Sequence, residues 1–158
     1  MEEALQTPDT AATAAPWHLW VVGVLSLLWN GFGGYDYTMT QLRDRDYIAS
    51  AVGPMGFDVD TAIAYWDAFP IWADVFWALG VWGSVAGSLL LLLRSRFAMH
   101  AFVISLVGLI GGMVYQFGNP MPGLTDSTIP MIFTLVIFAI ILALIWYSRR
   151  MTARGVLR

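Results

Sequence analysis

Four apolar stretches, at 17–40, 71–93, 97–117 and 129–147, each approach the ~20 residues a helix needs to cross a bilayer core. Apolar side chains make up 58% of the chain and charged ones 12%, about half the charged share of a soluble domain. That block pattern specifies an all-α integral membrane bundle of four transmembrane helices. Pro16, Pro70 and Pro130 stand at or beside helix starts, where a missing N–H is harmless, and Pro120 and Pro122 stop the third helix. Trp17, Trp20, Trp72, Trp146 and Tyr147 mark segment ends, as interfacial belts require.

Arginine sets the expected orientation. Arg94 and Arg96 fill the turn between the second and third helices, and Arg149, Arg150, Arg154 and Arg158 follow the fourth. The opposite side keeps Arg43 and Arg45 among Asp36, Asp44, Asp46, Asp58, Asp60, Asp67, Asp74 and Asp126. By the positive-inside rule both termini are cytoplasmic. Residues 1–16, with Glu2, Glu3 and Asp9, read as a disordered cytoplasmic tail, and lack the basic start of a secretory signal. Residues 17–148 form one membrane domain, and 149–158 a basic cytoplasmic tail.

The only long connection, 42–69, lies on the periplasmic side. Gly53-Pro54-Met55-Gly56 reads as a turn, and Asp60 as the N-cap of a short amphipathic helix through Tyr65, Trp66 and Phe69. Its aromatic residues place it on the membrane surface or over the bundle mouth. Asp58 and Asp60 lack the spacing of a calcium loop, which leaves capping as their role.

On the first helix, Ser26, Asn30, Gly33, Asp36, Tyr37, Thr40 and Gln41 share a face, opposite Trp20, Val24, Leu28, Phe32 and Tyr35. On the third, Ser105, Gly108, Gly112, Tyr115, Gln116 and Asn119 form a small-and-polar stripe, with Gly108 and Gly112 as a close-approach pair. The second helix carries Asp74 on one face and Gly80, Gly83 and Gly87 on nearly the opposite one. One of these faces meets the bundle, and the other meets lipid or a second chain. The fourth helix, apolar except for Thr134, is a wall.

Asn30, Asp36, Tyr37, Gln41, Asp74, Tyr115, Gln116 and Asn119 share the outer half of the membrane. They are the candidate ligand-binding residues, with Asp36 and Asp74 as acceptors, because intramembrane carboxylates are costly and lean functional. The competing reading is interhelical glue near a wet interface. Trp66, Trp72, Trp77 and Trp82 suit stacking on sugar rings or, equally, belt packing.

With no Cys, thiolate chemistry is excluded, and two histidines make a multi-histidine metal site improbable. His18 and His100 share a depth, but the first lies at the membrane edge and the second off its polar stripe. No haem or other cofactor, and no metal, is expected. Gly31, Gly33 and Gly34 do not follow a strand, so no nucleotide fingerprint is present. No nucleophile–base set appears, so the chain does not read as an enzyme. Four arginines in the tail fix topology rather than bind nucleic acid.

Trp29-Asn30, Gly33, Asp36-Tyr37 and Met39-Thr40-Gln41, with the later Phe76 to Gly83 segment, Arg94, and Tyr147 to Met151, resemble an uncharacterised family of small proteobacterial proteins. These are four-helix inner-membrane proteins often labelled sugar transporter. The resemblance covers most of the chain from Trp17 onward, and implies sugar export or uptake without a binding-residue set to carry over. The resulting expectation is binding or transport of a small neutral or cationic solute, sugars included, through the outer polar cluster. The alternative is an accessory or assembly subunit of a larger membrane complex. Membrane lipid is the expected surround, and Gly80, Gly83 and Gly87 the expected contact in a homodimer or hetero-complex.

Overall fold

The computed structural model describes residues 14–123 and 128–158, and every regular element among them is helical. In chain order these are α1 (Trp17–Gln41), α2 (Arg45–Val52), α3 (Val59–Asp67), α4 (Ile71–Leu92), α5 (Ala98–Gly118) and α6 (Thr128–Ala153). Three stretches, Ile71–Leu92, Ala98–Gly118 and Pro130–Ala153, are long and apolar enough to cross a membrane. With 25 residues α1 has the length, but Asn30, Asp36, Thr38, Thr40 and Gln41 make its second half too polar to join them.

Local signals explain the boundaries. Pro16 and Pro70, both extended, precede α1 and α4. The Asp44 carboxylate accepts from the Tyr47 amide and the Asp58 carboxylate from the Thr61 amide, which caps α2 and α3. Two corrections follow for the long connection. It holds two helices rather than one, and Asp58, not Asp60, caps the second.

α1, α4 and α6 end alike. Arg43, Arg94 and Gly155 take positive φ, and bonds such as Asp44 N–H to Met39 O, Ser95 N–H to Leu90 O and Val156 N–H to Met151 O close the last turns. Arginine in that conformation is strained by about 1 kcal/mol relative to glycine, so tertiary contacts must hold it there. Arg43 has such contacts, with its guanidinium on Thr40 O and Asp67.

α4 and α5 pack closest, as an antiparallel pair. A Cβ on Gly108 would meet Phe76 O at 2.6 Å and Gly80 Cα at 2.7 Å, so two backbones touch here without side chains between them. Gly111 seats the Phe76 ring, Gly83 lies against Ser105 and Gly87 against Phe102. The Ser105 hydroxyl donates to Gly80 O at 2.5 Å. Gly80, Gly83 and Gly87 therefore face α5 within the chain, and the interface with a second chain expected through them is corrected: that face is already filled. The close-approach pairing of Gly108 with Gly112 is corrected too. Gly111 is its working neighbour, and Gly112 opens onto empty space.

α1 packs on α4, where Gly23 admits Leu92 and Gly34 lies against Val85 and Trp82. α6 packs on α5 and reaches α1 through side chains, His18 Nδ1 to the Tyr147 hydroxyl at 2.6 Å and Trp29 beside Phe133. Trp20, Val24, Leu28, Phe32 and Tyr35, on the opposite face of α1, are exposed. One end of the bundle holds a dry cluster of Leu19, Leu91, Ala98, Phe102, Leu144, Met151, Val156 and Leu157. The last residues thus fold back rather than trail away. Arg158 N–H donates to Arg94 O and Arg96 N–H to Arg158 O, so the chain end is stitched onto the α4–α5 turn. At the other end α2 and α3 share a small cluster of Ile48, Val52 and Ala62, packed by Phe57, Val59, Ile63 and Trp66.

Candidate ligand-binding site

A cavity opens at the end that carries α2 and α3, with a volume of about 650 Å³. That size falls within the range of small-molecule pockets. Val52, Met55 and Phe57 line it from the α2–α3 corner, Tyr65, Trp66 and Phe69 from α3 and its exit, and Trp77 from α4. Met113, Gln116 and Phe117 of α5, then Pro120 and Met121, form the next wall; Pro130, Met131, Thr134 and Leu135 of α6 close it.

The lining is rings, methionines and prolines, with few polar atoms. Two hydroxyls are already engaged: Tyr65 donates to Asn119 O at 2.9 Å, and Thr134 to Pro130 O at 2.9 Å. Burial raises the Tyr65 phenol above its ordinary range, so it stays a neutral donor. Among the described residues Gln116 contributes the one side-chain amide, and no charged residue lines the space. Such a surface favours an apolar body with a small polar group.

A ring network backs this wall. Tyr37 meets Trp77 edge-on at 5.0 Å, Trp77 lies by Phe69 at 5.9 Å, and Phe69 meets Tyr65 at 5.2 Å and Tyr115 at 4.7 Å. Tyr115 also meets Trp72 and donates to Ala68 O at 3.3 Å. Edge-to-face pairs of this kind add about 0.5–1.5 kcal/mol each beyond burial. They fix the aromatic wall at one place.

The α2–α3 rim is held down by polar ties. Arg43 pairs with Asp67 at 2.9 Å and Arg45 with Asp60 at 2.7 Å. The Arg45 guanidinium holds the Asp60 carboxyl below its ordinary range. The Tyr47 hydroxyl donates to Asp36 Oδ1 at 2.7 Å, and burial, helped by that carboxylate, pushes the phenol well above its ordinary range. Asp60 thus works as an ion-pair partner, where the sequence suggested a cap.

The eight candidate residues do not converge on one space. Asn30 is buried between helices, its amide on the Ser88 hydroxyl at 2.9 Å and Ser84 O at 3.4 Å. Asp36 binds Tyr47 of α2, not a group on α4 or α5. Tyr37 and Tyr115 stand behind the pocket wall, and Asn119 supports Tyr65 through its carbonyl, its own amide returning to Tyr115 O. Gln41 and Asp74 make no side-chain hydrogen bond or ion pair among the described residues, and nothing joins Asp74 to Asp36. Only Gln116 lines the cavity. Asp126 lies outside the described residues.

Met55, Phe57, Met113, Phe117, Met121 and Met131 are among the lining residues that reading by polarity missed. The available signal was methionine, at eight in the chain, four of them here. Flexible thioethers suit a surface that adapts to varied apolar shapes. Among the described residues no three His, Cys, Asp or Glu lie together as a metal site. No family model matches this chain, and neither a curated protein nor a solved structure does so.

Proposed function

We propose that this chain is a four-span protein of a bacterial inner membrane that binds a neutral amphipathic molecule, with a largely apolar body, at its periplasmic rim. In this reading α1 crosses with α4, α5 and α6, its polar half covered by α4 and by α2. Both termini are cytoplasmic, following the arginines. α2 and α3 lie over the periplasmic mouth as a roof.

The observation that carries the reading is the lining of the 650 Å³ cavity, with six aromatic rings and four methionines around a single amide. A sugar would bring several hydroxyls, and each one buried without a partner costs about 1–3 kcal/mol. Among the described residues Gln116, two engaged hydroxyls and the indole N–H groups of Trp66 and Trp77 are too few to satisfy them. An acyl or isoprenoid-like body loses nothing there and gains about 25 cal/mol per Å² of apolar surface removed from water. The expected solute thus becomes a lipid-like one, and Asn30 becomes helix glue. Passing such a molecule between membrane and periplasm, or presenting it to a partner, are the roles that a rim pocket of this kind suits.

Extraction of the full chain from its native membrane in a mild polymer, followed by mass analysis of what remains bound, tests this. A bound amphipathic species at near-stoichiometric amount, lost from a Met113→Trp variant that still purifies folded, is expected. Retention of a polar solute instead, or an equal set of lipids on both proteins, would exclude it.

A further inference from the structure

The end of the bundle opposite the cavity gathers arginines, and no Asp or Glu side chain lies there among the described residues. All seven described aspartates lie between Asp36 and Asp74, on α1, on the α2–α3 rim or in the first turn of α4. Arg43 and Arg45, at that acidic end, both find aspartate partners. At the basic end Arg96, Arg149, Arg150, Arg154 and Arg158 have no carboxylate partner among the described residues.

The fold ties the chain end to the α4–α5 turn, which brings Arg94, Arg96 and Arg158 together. Val156 and Leu157 are 2% and 3% exposed, so the chain end is anchored in the core. Arg158 is then bonded through its backbone to both Arg94 and Arg96, at 2.8 and 2.9 Å. Gathering like charges costs free energy unless an anion offsets it.

Two of the guanidiniums are also held in position. Arg96 lies over the Phe97 ring and Arg150 over the Trp146 ring, each 5.2 Å from the centroid. Both rings are more than half exposed. Each cation therefore sits where an outward apolar surface ends. Stacking covers one face of a guanidinium and leaves its in-plane N–H fork free, the geometry that grips phosphate oxygens in pairs.

We propose that this end binds the phosphate headgroup of an anionic phospholipid, with Arg96 and Arg150 as its ligands and Phe97 and Trp146 under its acyl chains. The exposed rings favour a lipid over a free phosphate, which would have no use for them. This rests on α5 and α6 crossing the membrane, not on what fills the cavity.

The test uses the full chain in nanodiscs made from equal parts phosphatidylglycerol and phosphatidylcholine, with retained lipids counted by native mass spectrometry. Wild type retains phosphatidylglycerol over phosphatidylcholine on the order of tenfold. The Arg96→Gln/Arg150→Gln variant falls to near parity, the Arg96→Lys/Arg150→Lys variant lies between, and Arg45→Gln matches wild type. Equal retention of the two lipids by wild type, or an unchanged preference in the glutamine variant, would overturn the assignment. Displacement of the lipid by millimolar inorganic phosphate would show a free-anion site instead. A preference that appears only after Glu2, Glu3 and Asp9 are neutralised would make those side chains the counterions and overturn it as well.

Discussion

The Tyr47 hydroxyl donates to Oδ1 of Asp36 across 2.7 Å, which ties the rim helix α2 to the last two turns of α1. Hydrogen bonds to a charged group contribute about 1.5–3 kcal/mol when shielded, and less here because both side chains are half-exposed. Tyr47→Phe should therefore loosen α2 by roughly 1 kcal/mol, read as about fivefold faster amide exchange across Arg45–Val52. Because the folded phenol pKa is raised above the ordinary 10.0, its stabilisation is complete below that pH and fades as the pH climbs further. A tyrosinate absorbance titration should show late-ionising tyrosines, Tyr47 and Tyr65 among them, and Tyr47→Phe should remove one.

Gly108 and Gly112 separate backbone contact from open space. Gly108→Ala drives a methyl into Gly80 and the Phe76 carbonyl, neither of which can swing away, and should cost about 3 kcal/mol or more. Gly112→Ala meets nothing within 4 Å and should gain about 0.5–1 kcal/mol from the stiffer helix. Denaturation of both variants in one detergent checks the pair, and equal effects would contradict the α4–α5 register.

Asn30 distinguishes glue from ligand contact. Its amide joins α1 to Ser88 of α4, and interhelical bonds of this kind contribute about 0.6 kcal/mol on average, up to about 1.7. Asn30→Ala should lower unfolding stability by that order and leave ligand occupancy unchanged. A loss of bound ligand at full stability would return Asn30 to the binding site.

Sequence reading located the long helices well because burial in an apolar solvent leaves a strong length signal. The expected segment at 71–93 and the helix Ile71–Leu92 differ by one residue. α6 runs on to Ala153, past the expected 147, because Ser148, Arg149 and Arg150 end the apolar run but not the helix. What stayed hidden was tertiary. Arg43-Asp44-Arg45-Asp46 reads as polar linker until Asp44 is seen to cap α2 and Arg45 to find Asp60. Periodicity could not say which face of α4 meets α5, since Asp74 and Gly83 both suit an interior. The pocket was missed for a related reason: polar side chains draw the eye to sites, and this one is apolar.

The chain end offers a further check. Leu157 is buried to 3% in the cluster with Leu19 and Met151, so Leu157→Ala should cost about 2–3 kcal/mol. A fluorescence-detected melting curve would read it, whereas a free basic tail would show no shift.

Site mapping with a diazirine-bearing long-chain fatty acid in nanodiscs addresses the cavity most directly. Saturable adducts on Trp66, Phe69 and Met131, displaced by excess unmodified fatty acid and absent from Met113→Trp, are the predicted result. Adducts at exposed Leu28 should be insensitive to both. Labelling confined to outward side chains such as Leu28, without saturation at the cavity wall, would contradict a lipid-like occupant.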